Sequence, residues 1–218
     1  MAFTFPLSVG QFASLLFIED AVFTPARNDE ITGMGSLSPL HAKLASPLWA
    51  VDLKTMPLDN DQAESVATML EVLSEPGRDF YISNPRKLAP KMDPDGSILD
   101  GAVITIASVE TNNHQLSLTG FPEDYVISRS DMFAFEYGPS EQKRRAYHRF
   151  AEDGITTSMG NLGPIEVFPH ILPGATAGDV VTIVGAAMRA KIVPGSYRPQ
   201  GYGGGHEVLT FRAIQKLI

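Results

Sequence analysis

The sequence predicts a mainly β fold carrying one main helix and a small barrel, and three observations lead there. Only one long stretch repeats its apolar residues with helical spacing. The second half is a series of short apolar runs, each stopped by turn residues. Glycine (19) and proline (16) are plentiful among the 218 residues, which favours many turns and short strands. With 44% hydrophobic and 19% charged residues the chain can bury a core and lacks the profile of a disordered one.

The elements follow in order. Ser8 and Gln11 have capping-box spacing, and Phe12, Leu15 and Leu16 share a face, so a short helix is predicted at about 9–16. Ile18 to Thr24 reads as a strand and Pro25 to Gly35 as a polar stretch. In Leu48 to Lys54, Val51 and Leu53 alternate with Asp52 and Lys54, and Trp49 points with Val51 and Leu53, which predicts a strand. The main helix runs from Asn60 to Glu75, with Asp59 as N-cap, a stripe of Val66, Met69, Leu70 and Leu73, and Pro76-Gly77 as its stop. Phe80-Tyr81-Ile82 reads as a buried strand.

Turn chemistry then dominates from Asn84 to Gly101, through Asn84-Pro85-Arg86 and Asp93-Pro94-Asp95-Gly96, and marks a boundary between two units. Beyond it only strands are predicted. Val103–Val109 and Gln115–Leu118 flank an Asn112-Asn113 turn suited to positive φ. Met132–Tyr137, Ala146–Phe150, Ile165–Phe168 and Val180–Val184 follow, and together they suggest a small barrel. Ala187–Val193 and Val208–Ile214 close the chain around Pro194–His206, a glycine-rich loop expected to be mobile, with Gly203-Gly204-Gly205 as a hairpin tip.

The chemistry of the sequence points away from catalysis. Net charge is −8, so a stripe of cations for duplex DNA is not expected, and without cysteine there are no disulfides or thiolate sites. The N-terminus does not read as a secretion signal, no apolar run reaches membrane-spanning length, and no membrane insertion is expected. No P-loop, nucleophile elbow or zinc-protease motif is present. His41, His114, His148, His170 and His206 are scattered and read as surface or interface residues. Asp93-Pro94-Asp95-Gly96 departs from a calcium loop, because its Gly comes too early and Ile104 stands where the closing Glu belongs. The basic run Lys143–Arg149 reads as a solvated strand face, and Glu123-Asp124 and Glu152-Asp153 as solvated loops. An enzyme would have to draw on Asp153, Glu166 and His170, and a glycan-binding module on Tyr125, Phe133 and Tyr147. Trp49 reads either as core or as an interface anchor.

Several stretches carry a resemblance. They are Phe5-Pro6-Leu7-Ser8, Phe12 to Leu16, Leu48 to Leu53 with Met56-Pro57-Leu58, and Phe80-Tyr81-Ile82 with Asn84-Pro85-Arg86. Asp93 to Ser97, Asp131 to Phe135, Val193-Pro194-Gly195 and Leu209 to Ala213 continue the series. In this order the chain resembles the distal tail proteins of long-tailed phages (siphophages) and their relatives in prophages and gene-transfer particles. The resemblance implies a tail-tube-like β-sandwich with one main helix, built from 1–90 and 185–218, and an inserted OB-like barrel from 91–184. It implies a hexameric ring that joins the tail tube to the hub proteins, with DNA passing through its channel unbound, in a virion tail assembled in the host cytoplasm; another tail structural protein, a tube subunit or terminator, is the alternative. It implies no catalytic, cofactor-binding or metal-binding residues. Trp49, Tyr197, Tyr202 and His206 are the expected interface residues, and the channel-facing side is expected to be acidic.

Overall fold

The computed structural model describes residues 3–33 and 39–218. In chain order the first half contains α1 (Val9–Leu16), β1 (Ile18–Ala26), β2 (Asp29–Gly33), β3 (Pro39–Lys43), β4 (Leu48–Thr55), α2 (Asn60–Ser74) and β5 (Phe80–Ser83). The middle contains β6 (Ile104–Val109), β7 (Gln115–Thr119), β8 (Val126–Ile127), β9 (Met132–Tyr137), β10 (Arg144–Phe150), β11 (Gly154–Ile155), β12 (Asn161–Phe168) and β13 (Val180–Thr182). The chain ends with β14 (Ala187–Ile192), β15 (Arg198–Tyr202) and β16 (His206–Gln215). The fold is mainly β with two helices and a closed barrel, as the turn-rich sequence predicts.

Both helices begin where their caps require. Asp59 Oδ1 accepts the Gln62 backbone N–H at 2.8 Å, and Ser8 Oγ does the same for Gln11 at 3.3 Å. Ala63, Val66, Leu70 and Leu73 are the buried stripe of α2. Each fully buried aliphatic side chain there stabilises by about 1.5–3 kcal/mol. The stripe packs on β14 and β16, and α1 packs on β5, where Phe12 stacks on Phe80 with ring centroids 3.9 Å apart.

The outer segments make one antiparallel sheet in the order β1-β4-β16-β14-β5, with β15 added to the long β16. The helices supply the layer facing it. Pro25 lies within β1 opposite Trp49. That is tolerable because β1 is the edge strand and needs no donor on its open side. Asp79, just before β5, is fully buried, and its Oδ2 is held by Arg189 and by Lys216 at 2.8 Å.

The middle segment closes on itself in the order β10-β12-β7-β6-β13-β9. Closure removes every free edge. Six strands make the ring, one more than in an OB fold. Pro164 falls at the register shift between Leu162 and Ile165 on β12, where a missing N–H does no harm. Asn113 takes the predicted positive φ, 58°, in the β6–β7 turn.

Three stretches differ from expectation, one of them the short β8–β11 pair, which no apolar run announces. The polar stretch after β1 contains β2, which pairs with β3 as a separate two-stranded hairpin. Part of the intervening turn lies outside the described residues. The Pro194–His206 segment is not an irregular loop, because β15 pairs with β16 from Arg198↔Thr210 to Tyr202↔His206. Backbone pairing with the overhanging end of β16 makes the strand, and glycines do not prevent it.

Candidate assembly interface

The β2–β3 hairpin extends the β1–β4 pair as an arm. Leu44 N–H donates to Asn28 O at 3.0 Å, which carries the ladder past the bend. Five paired residues give the arm a reach of about 17 Å. Its apolar side chains are in solvent: Ile31 is 69% exposed, Leu40 57% and Leu44 61%. Among the described residues β2 and β3 pair only with each other. A lone two-stranded hairpin is marginal in water, and an arm of this kind gains most by lying on another surface.

The expected interface residues fall in three places. Trp49 is 1% exposed, so of its two readings the core one is seen, and it anchors a joint inside the chain. Its ring meets Tyr147 of β10 edge-on at 6.0 Å and Phe168 of β12 at 6.4 Å. Tyr197 is half-buried and packs against the sheet's own core. Burial first, and then Glu207 and Glu71, raises its phenol pKa. His206 is exposed at the end of the β15–β16 hairpin, paired with Tyr202, whose side chain lies outside the described residues.

The joint that Trp49 anchors unites the two units into one core. Met132, Ala134 and Tyr147 of the barrel belong to the same buried cluster as Trp49, Val51 and Met188 of the sheet. Gln215 bridges it, its Oε1 accepting from Trp49 N–H at 3.1 Å and its Nε2 donating to Arg145 O at 3.4 Å. Arg145 Nε donates to Ala187 O at 3.1 Å, and Arg149 lies over the rings of Trp49 and Phe168 at 5.2 and 5.3 Å. Lys143 and Arg144 are exposed, but from Arg145 to Arg149 the basic run is not a solvated face. Its alternate residues are spent on the joint and the barrel core.

His41, His114 and His206 are exposed, as the surface reading expects, and the correction concerns His148. His148 is buried, and His114 stacks on His170 with centroids 3.7 Å apart. The residues lie 22 and 34 positions apart, so only the closed barrel brings them together. No group of three or more His, Asp or Glu among the described residues could hold a metal ion.

The residues weighed for other functions have structural employment. Glu152 Oε1 accepts Glu166 N–H at 2.6 Å, and Asp153 Oδ1 accepts Arg129 N–H at 2.7 Å. These acids cap backbone and are not merely solvated. Glu166 does approach His170, at 4.0 Å. Tyr125, Phe133 and Tyr147 are buried, so they offer no stacking platform to a sugar. Asp93, in the turn read from the sequence, accepts from Ile98 and Leu99 N–H.

Two buried carboxylates were not singled out from sequence. Asp79 is one. The other is Asp131, which takes N–H donors from Lys91 and Ser128 at 3.0 and 2.9 Å. Neither has a local pattern that signals burial. No protein-family model matches the chain, and no curated protein matches it either.

Proposed function

We propose that the chain is a structural subunit of a phage tail tip, a distal tail protein that forms a hexameric ring between tail tube and hub and is not an enzyme. The observation that carries the reading is the arm. Ile31, Leu40 and Leu44 stand in solvent on a hairpin that no other described residue of the chain covers. Such a patch marks a protein–protein contact. Contact between the arm of one copy and a different surface of the next is head-to-tail, and head-to-tail contacts close into rings when the rotation allows.

The open edge of β1 gives a neighbour a second way to attach. The exposed sheet face sets Asp20 and Asp52 against Lys54 and Arg212, with Arg212 3.8 Å from Asp52 and Lys54 3.0 Å from Glu19. We place this face toward the channel. It is balanced rather than acidic, and paired bases there leave little pull on a passing phosphate backbone. Negative-stain imaging of the purified chain tests the reading: rings with a central hole are expected, and globular single particles at every concentration contradict it.

A further inference from the structure

Three histidines meet where the barrel is joined to the sheet. His148, on β10, is 5% exposed and packs beside the rings of Phe133 and Phe135, at 5.4 and 5.6 Å. Its Nδ1 is 2.6 Å from the carbonyl oxygen of Pro169. A ring nitrogen that close to a carbonyl carries the proton, so the lone pair is on Nε2. Nε2 is buried without a hydrogen-bond partner among the described residues. Beside the ring is a cavity of about 20 Å³ lined by Pro47 and Leu48 ahead of and in β4, by Tyr147 and Pro169 of the barrel, and by Gln215.

The next residue after Pro169 is His170, half-buried and stacked on the exposed His114 of the β6–β7 turn. The charged groups facing this cluster come from several elements. Lys43 at the base of the arm acts on His170 as a like charge. Glu166 of β12 is the acid within reach, at 4.0 Å. Arg149 of β10 and Arg27 before β2 lie on the Phe168 ring, at 5.3 and 5.5 Å.

We propose that this cluster is an acid-sensitive latch whose protonation releases the barrel from the sheet. A proton on His148 Nε2 would set a cation among aromatic rings with no acceptor beside it. A proton on His170 would set a charge against the stacked His114 ring and next to Lys43, with Glu166 as the acid within reach. Hydration relieves both. Water reaches His148 most directly by opening the seam where Leu48, Trp49 and Gln215 meet β10. The latch needs only the joint and works whether or not the chain forms a ring.

The closed latch resists protonation at neutral pH. Burial pushes His148 down to about 4, and burial, His114 and Lys43 hold His170 below its ordinary value. A histidine freed into water titrates near 6.5, so the open state gains about tenfold per pH unit on His148 alone between about 6.5 and 4.

The chain's single tryptophan reports on this seam. The test follows the emission maximum and acrylamide quenching of Trp49 in the full chain from pH 7.5 to 4.5, with far-UV circular dichroism beside it. The expected result is a red shift and easier quenching while the β signal persists. In His148→Asn the amide keeps a donor near the Nδ1 position and takes no proton, so the acid step shrinks at least tenfold. The readout is the pH dependence within each variant, so a lower starting stability does not obscure it. A second variant, His114→Gln with His170→Gln, removes the stack at the surface and moves the midpoint to lower pH. Emission that stays constant to pH 4.5, or a midpoint unchanged in both variants, overturns the latch.

Discussion

The indole N–H of Trp49 crosses the joint and donates to the carbonyl oxygen of Tyr147 at 2.8 Å. One bond thus ties β4 of the sheet to β10 of the barrel, and the edge-on ring contact of the same two residues backs it. Trp49→Phe keeps most of the ring and loses the donor, which is expected to lower stability by about 1–3 kcal/mol. Trp49→Ala adds a cavity and raises the loss to about 3–5 kcal/mol. Urea unfolding measures both; a Phe variant within about 0.5 kcal/mol of wild type would show that the bond contributes nothing.

Asp79 holds the C-terminal segment to the sheet. Its carboxylate is fully buried while Arg189 and Lys216 remain partly in water. Asp79→Asn is expected to cost about 3–5 kcal/mol, because the geometry built around a charge then holds an amide. Lys216→Met should cost about 1 kcal/mol or less, since Arg189 still answers the carboxylate. Equal losses for the two, read from denaturant midpoints, would refute this division.

Gly120 ends β7 with φ at 93°, and a Cβ there would lie 2.1 Å from the carbonyl oxygen of Val103. Both the backbone conformation and the contact forbid a side chain without movement. Gly120→Ala is therefore expected to destabilise the barrel by at least about 1–3 kcal/mol. Gly163, whose Cβ would meet nothing within 4 Å, is the control. A thermal midpoint for Gly120→Ala equal to that of Gly163→Ala would contradict the close approach.

Stability should fall with acid through His148. Its folded pKa is pushed down to about 4 by burial, below the unfolded value near 6.5. Between those values the unfolded chain binds a proton that the folded chain refuses. The contribution is fully present above about pH 6.5 and is lost as pH falls toward 4, by about 3 kcal/mol in all. Below that the loss from this group stops. Wild type minus His148→Asn, compared by urea unfolding at each pH, isolates it; a difference that stays flat from pH 7 to 4 would refute the assignment.

Helix α2 and most core strands were legible because burial writes itself locally. Asp59 and Gln62 stand at cap spacing, and Val66, Leu70 and Leu73 repeat at helical spacing, so one short window contains the evidence. The arm was not legible, since Asp29–Gly33 faces solvent on both sides and no alternation marks it. β15 escaped notice for a related reason: its partner is the overhang of β16, a residue pairing that composition does not encode. The joint was half legible. Trp49 stood out as core or anchor, and it proves to be an anchor buried within the chain. The meeting of His114, His148 and His170 depends on barrel closure, and Asp79 and Asp131 look like any loop acid until their donors from elsewhere in the chain arrive.

The arm is the centre of the account, and the most direct measurement is the light-scattering mass of the wild-type chain beside the double variant Ile31→Asp, Leu40→Asp. Both positions are exposed, so the variant should fold with stability within about 0.5 kcal/mol of wild type. A ring closed through the arm gives a wild-type species near six times 23.6 kDa and a variant at 23.6 kDa. A wild type that remains at the single-chain mass, or a variant that assembles as wild type does, would contradict it.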